Sequence, residues 1–333
     1  MSESTPSPSP TSSDRALPPV EPPSAGFLIQ LFVIPGVIVV VIVVVWLLFH
    51  WLAAMGNDPR EYIKKLRGNS EMRWQAAVNL AGALQGEAGE EIKRDPAVAA
   101  DLGHILADEI AAGGNDETQL RMRQFLCIAL GEFKIDAALD PLLSAADSKS
   151  TDDQATTKRA AVRGLASLAA TLRKEQPTWS DPKVVTALVD ASKSDNADLR
   201  SDSAFALGVL GDPTANARLT QMVDDEHADA RYNAGVGLAR VGDAAALQVI
   251  KEMLDPDQTL ATKEENEANR LEKQRMIHVA GLQALAELAR KNPNIDLQPA
   301  AFPVEQLTRS DFPEVRGKAR ELQQTLAARI KTN

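Results

Sequence analysis

Cysteine is almost missing from this chain of 333 residues, where Cys127 stands alone. A single thiol closes no intrachain disulfide and builds no cysteine-rich zinc site. Histidine is nearly as scarce, and the four present, His50, His104, His227 and His278, never fall three or four residues apart. The helical spacing that turns two imidazoles toward one metal is therefore absent, and no metal or cofactor is expected. Aromatic residues make up only 4% of a chain that is 44% hydrophobic, so its apolar content is mainly Ala, Leu, Val and Ile. That mixture suits helix-on-helix packing better than a β-sandwich. A basic stripe is lacking as well. The net charge is −10, and the first 26 residues supply −2 of it (Glu3, Asp14 and Glu21 against Arg15), leaving about −8 for the rest. Nucleic-acid backbones are held by clustered Lys and Arg, so a nucleic-acid function is not expected. The chain also has no glycine-rich phosphate loop, no dinucleotide fingerprint and no hydrolase nucleophile elbow.

What is present begins with a tail, residues 1–26, holding seven Pro and seven Ser. Such a composition cannot bury enough apolar surface to offset the entropy of ordering, and the tail is read as disordered. Residues 27–54 are apolar except for Gln30, Pro35, Gly36 and His50, and no Asp, Glu, Lys or Arg occurs between Pro22 and Asn57. At 1.5 Å per residue this stretch exceeds a hydrocarbon core of roughly 30 Å, so it is read as a single transmembrane helix, tilted or kinked near Pro35. Residues 37–45 are all Val or Ile. In lipid the backbone must satisfy itself, which makes helix the outcome for one segment in spite of that propensity. Trp46 and Trp51 fall where an aromatic belt is expected. A cleaved signal peptide, with Ala54 and Gly56 as its small-residue site, fits less well, because the apolar run is too long and no basic region precedes it. Arg60, Lys64, Lys65, Arg67 and Arg73 follow the span. The positive-inside rule then places the tail outside and the following domain in the cytoplasm.

One helical pattern recurs six times after the span. Copies starting at Met72, Met122, Thr157, Leu199, Ala230 and Gln274 place a cation next, at Arg73, Arg123, Lys158, Arg200, Arg231 and Arg275. Seven residues beyond it comes Leu80, Leu130, Leu165, Leu207, Leu238 and Leu282, preceded by a residue that is usually small: Asn79, Ala129, Gly164, Ala206, Gly237 and Gly281. Offsets 0, 4, 7, 8 and 11 form one helix face, which predicts Leu199, Ser203, Ala206, Leu207 and Leu210 as core, the small residue letting the next helix approach. Between the copies lie shorter apolar-periodic segments, 98–110, 139–143, 184–189, 215–223 and 245–254, read as partner helices. Asp58-Pro59, Asp95-Pro96, Asp140-Pro141, Asp181-Pro182 and Asp212-Pro213 are read as helix starts, with Asp accepting from free N–H groups and Pro occupying a position that needs none. Gly211 and Gly242 are read as left-handed helix stops, and glycine generally as a helix terminator.

These copies, clearest at "LRSDSAFALGVLGD" and "ARYNAGVGLARVGD", resemble tandem HEAT repeats of the short bacterial type also found in phycobilin lyase subunits. The resemblance spans residues 58–329 and is densest at 195–254. The last copy keeps Arg316 but shifts its Leu, as a capping repeat does. The resemblance implies an all-α fold: a right-handed α-solenoid of about six to seven HEAT-like helix pairs, preceded by the transmembrane helix. In this family the repeated cation binds acids or carbonyls in the turns between repeats, and Asp198, Asp212, Asp229 and Asp243 are the acids expected to serve. HEAT-like hydroxylases hold iron with His-Glu pairs, whereas here each His is followed by Trp, Ile, Ala or Val.

The isolated acid-base candidates read as packing residues: His278 as a core histidine, Cys127 as a packed thiol. The charged run 263–275 reads as a solvated helix face. Candidate partner-binding residues are Trp179, in the polar linker "KEQPTWSDP", and Asp202 and Arg240 as exposed charges on the second helices. Trp179 has a second reading, as a plug between two repeats. The expected function is that of a membrane-anchored scaffold that binds a protein partner and catalyses nothing itself. The alternative is a phycobilin-lyase-like or other small-molecule-binding subunit. The full-length chain is expected to pellet with membranes and to resist carbonate extraction, and deletion of residues 27–54 to release a soluble helical protein. Immunoblotting of the fractions checks this, and full-length chain in the soluble fraction overturns the span.

Overall fold

The computed structural model describes residues 26, 29–55, 58–68, 73–148, 155–258, 261–262 and 266–330. The tail before Gly26, Met72 of the first repeat copy, the 56–57 junction and residues 263–265 of the charged run lie outside them. The chain divides into two compact units, residues 1–56 and 57–333.

In the first unit a five-residue π-helical turn, Ile29–Val33, leads into α1, Ile34–Met55. Pro35 therefore sits where the π-helical turn passes into α1, the place at which its missing N–H interrupts the ladder and a π-helical turn accommodates the break. Residues Ile29–Phe49 have a mean hydropathy of 3.2 and bury nothing, so this helix is long and apolar enough to cross a membrane.

In the second unit every described element is helical. Seven pairs follow one another: α2 (Pro59–Leu66) with α3 (Arg73–Gln85), α4 (Pro96–Ala111) with α5 (Glu117–Gly131), and α6 (Leu139–Asp147) with α7 (Thr156–Glu175). Then come α8 (Pro182–Ala191) with α9 (Ala197–Leu210), α10 (Pro213–Met222) with α11 (Ala228–Val241), α12 (Ala246–Met253) with α13 (Glu267–Lys291), and α14 (Gln298–Leu307) with α15 (Pro313–Ile330). The pairs stack as an α-solenoid in two rows. The odd-numbered helices lie closely side by side from α3 to α15, whereas the even-numbered ones touch far less.

The starts and stops follow the local chemistry. Asp58, Asp95, Asp181 and Asp212 each accept an N–H of the first turn at 2.7–2.9 Å, with Pro in the first turn. Asp140 departs from the expectation. A 3-10 turn, Asp136–Ala138, begins the fold of this segment early, so Asp140 lies inside α6 and caps nothing. Pro141 instead packs on Gly103 of α4, where a Cβ would fall 2.5 Å from the Pro ring. Gly211 and Gly242 end α9 and α11 at φ +58° and +82°, a region in which a side chain is strained.

The predicted core face is observed. Leu199, Ser203, Ala206, Leu207 and Leu210 are all buried, as are the six repeat leucines. Not every glycine is a helix terminator, however. A Cβ on Gly208 in α9 would lie 2.7 Å from Cα of Gly237 in α11, and one on Gly131 in α5 would lie 2.9 Å from Cα of Gly164 in α7. Backbone meets backbone at these crossings. Asn79 alone among the small positions is exposed, because α3 has no earlier odd helix to receive it. Leu207→Ala or Leu238→Ala is expected to destabilise by about 2–5 kcal/mol through lost burial and a residual cavity. Chemical denaturation measures this, and no change at either position would place the register wrongly.

Candidate interaction surface

The repeated cation is an arginine on every odd helix but α7, and at Arg73, Arg200 and Arg231 it is tied down twice. Its first tie runs back to the preceding turn, usually to a carbonyl six residues earlier: Arg200 to Ser194 O at 3.1 Å, Arg231 to Asp225 O at 2.6 Å, and Arg316 to Ser310 O at 2.5 Å. Arg73 reaches Leu66 O at 2.8 Å, and the buried Arg123 reaches Gly114 O. The second tie runs forward to an acid of the next pair. Arg73 meets Glu109 at 2.9 Å, Arg200 meets Asp225 at 2.9 Å, Arg231 meets Glu252 at 2.5 Å, and Arg275 meets Glu314. At the third copy the cation is Lys158, and its neighbour Arg159 makes the inter-pair contacts instead.

The acids expected for this ladder are used elsewhere. Asp212 and Asp243 accept from Thr214 N and Ala245 N at the starts of the next turns, Asp198 binds Arg159, and Asp229 binds Lys273. Short Asp side chains at turn entries are claimed by the nearest free N–H, which leaves the longer reach to Glu252, Glu109 and the Asp225–Glu226 pair. Burial works against the Asp225 carboxylate, yet the Arg200 fork and the His227 N–H hold its pKa below the usual carboxylate value.

The three candidate binding residues separate. Trp179 is half-buried in the connection from α7 to α8, and its Nε1 donates to Asp136 Oδ1 at 3.0 Å, so it bridges two successive turns of the stack. Asp202 was expected to be exposed and is 8% exposed. Two α7 side chains close over it, Arg159 Nε at 2.8 Å and Arg163 Nε at 2.8 Å, because the odd helices approach too closely to leave its flank open. Arg240 is exposed as expected, with its guanidinium 6.0 Å from the Phe205 ring centroid across the α9–α11 seam. It makes no ion pair among the described residues; Glu287 of α13, which acts on it electrostatically, is held by Arg290 at 2.5 Å.

Phe205 carried no signal in the sequence reading, since one aromatic on an exposed offset is ordinary. Its neighbours give it meaning. Of the five exposed large hydrophobics described in the solenoid, Phe205, Val241, Leu271 and Met276 lie on α9, α11 and α13, and only Phe302 lies on an even helix. Further along the same row α13 and α15 separate, opening a cleft of about 470 Å³ over Leu282, Ala289 and Leu322.

The acid-base candidates sit in packing. Cys127 is fully buried, and burial pushes its thiol up to about 12 against the opposing Arg123 charge, a thiol rather than a thiolate at neutral pH. His278 is buried with Nε2 3.1 Å from Asp255 O, and burial pulls its pKa below 6.5. Among the described residues no three His, Cys, Asp or Glu gather as metal ligands.

Residues 185–266, from α8 to the segment after α12, match the family model for HEAT repeats. No curated protein matches the chain in sequence. Among solved structures it is similar to an engineered protein, at 14% identity over 82% of this chain and 98% of that one, with a TM-score of 0.38. It is also similar to YibA of Escherichia coli, at 16% identity over 80% of this chain and 92% of that one, with a TM-score of 0.35. The fold is thus an α-solenoid carrying HEAT repeats.

Asp202→Ala removes the buried carboxylate that Arg159 and Arg163 share and is expected to cost about 1–3 kcal/mol. Arg240→Ala, at a surface site without an ion pair, is expected to change stability by less than about 0.5 kcal/mol. Urea unfolding of both variants checks the contrast, and equal effects would contradict these assignments.

Proposed function

We propose that the protein is a membrane-anchored scaffold whose HEAT-repeat solenoid binds a protein partner on the row of odd-numbered helices. The observation that carries this reading is the segregation of exposed apolar side chains onto α9, α11 and α13, since exposed apolar residues gathered on one face mark interaction surfaces. A helix row packed side by side offers a continuous strip, the surface that solenoids use for extended partners. The anchor is supported by Ile29–Phe49, whose 21 uncharged and mostly apolar residues make about 31 Å of helix, the thickness of a hydrocarbon core. The cations from Arg60 to Arg73 support a cytoplasmic domain. A tether confines the solenoid and whatever it holds to one surface and so raises their effective concentration.

Photo-crosslinkers at Met276 and Gln283 on the odd row, and at Phe302 on the even row, test this in the full-length chain in its native membrane. A discrete protein adduct is expected from the odd-row positions and none from Phe302. The reading is overturned by adducts from no position. A turnover activity abolished by changing His104, His227, His278 or Cys127 in a protein that still folds would overturn it as well.

A further inference from the structure

The odd row between α9 and α13 has two edges of different electrostatic character. Across the seams near the helix starts every charge is answered. Arg159 and Arg163 bind Asp198 and Asp202, Asn233 Nδ2 donates to Ser201 O at 3.1 Å, and Lys273 binds Asp229 at 3.0 Å. Near the ends of α7 and α11 two cations, Arg173 and Arg240, form no ion pair among the described residues, although Glu287 acts on Arg240 at longer range. Arg240 Nη1 lies 3.5 Å from where a Gly208 Cβ would be, and Arg173 Nη1 lies 4.0 Å from the same point on Gly211. The two guanidinium groups thus lean over one turn of α9 from opposite sides, and among the described residues neither forms an ion pair. A cation in the last turn of a helix is favourable on its own account, but that does not account for the apolar band beside these two. The side-chain ties across the seams set the register: Asn233 meets Ser201 and Lys273 meets Asp229, which puts Val236 beside Phe205 and Met276 about one turn nearer its helix start, so these half-buried or exposed residues form a band that runs obliquely across α9, α11 and α13.

We infer that this band receives an amphipathic helix whose apolar face covers Phe205, Val236 and Met276 and whose acidic flank reaches Arg173 and Arg240. This rests on the scaffold reading and names the chemistry of its partner. An amphipathic helix lays spaced apolar anchors into such a strip, and charge on its flank sets orientation and on-rate. The chain as a whole carries −10, so two arginines that form no ion pair are the local feature that favours an acidic flank over a basic one. Flexible Met276 beside rigid Phe205 suits a surface that adapts its packing to the segment it receives.

The probe is a labelled synthetic helical peptide of about 18 residues, roughly five turns, with leucine on one face and glutamate on the flank. A twin carries lysine for glutamate. Fluorescence anisotropy against the full-length chain in zwitterionic nanodiscs, with empty discs as blank, gives the affinities. The glutamate peptide is expected to bind at least about tenfold more tightly than its twin, and Phe205→Ala to weaken it by about tenfold. Arg240→Glu, which leaves Arg173 as the one opposing cation, is expected to abolish the charge preference, and Phe302→Ala to change nothing. Helical circular dichroism and thermal unfolding of each variant separate lost binding from lost fold. Equal binding of the twins, binding no better than to empty discs, or an unchanged preference in Arg240→Glu overturns the inference. If the peptides fail while odd-row crosslinks persist, this inference falls and the scaffold stands; if the crosslinks are also absent, both fall.

Discussion

Two helices can share a seam at backbone distance only if nothing larger than hydrogen stands between them and something fixes their register. In this solenoid the first condition is met by Gly208 against Gly237 and by Gly131 against Gly164. The second is met by arginines early in the odd helices, of which Arg73, Arg200 and Arg231 are each tied back to a carbonyl and forward to an acid of the next pair. The guanidinium fork is suited to this, since its several rigid donors can serve a carbonyl and a carboxylate at once. Because the Arg200–Asp225 rung is largely buried, its hydrogen bonds disfavour alternatives in which the pairs slide by a turn, which would strand a cation.

Much of this was legible in the chain and some of it was not, for identifiable reasons. The 3.6-residue periodicity marks the odd helices, and the Asp-Pro and Gly signals mark most boundaries, because both depend on neighbours within one turn. Asp140 misleads for the same local reason: an Asp-Pro step carries no information about a 3-10 turn that begins the fold of its segment before it. The arginine ladder is visible as a repeated residue, while its partners are not, since Asp198, Asp212, Asp229 and Asp243 are drawn off by caps and other cations. Asp202 was read as exposed from its place on the helix wheel. Its burial depends on Arg159 and Arg163, about forty residues earlier in the chain, and no local pattern reports that.

The surface divides along the same lines. Most charged ties across the odd seams lie near the helix starts, whereas Arg173 and Arg240, near the ends of α7 and α11, form no ion pair among the described residues, and Arg240 has an aromatic ring as its neighbour. Trp179, the aromatic that looks most like a binding residue in sequence, bridges two turns with its indole N–H. Phe205 and Met276, silent in sequence, are the ones that remain open.

The disparity between the two rows has a mechanical consequence. With odd helices in backbone contact at two crossings and even helices touching less, Pro141 against Gly103 apart, the stack has a stiffer spine along one side and more compliant gaps along much of the other. Bending loads then open or close the gaps between even helices while the odd row stays near the neutral line, as in a leaf spring clamped along one face. Distances along the odd row, such as that from Phe205 to Met276, are therefore conserved while the whole stack flexes, so curvature and recognition are mechanically decoupled.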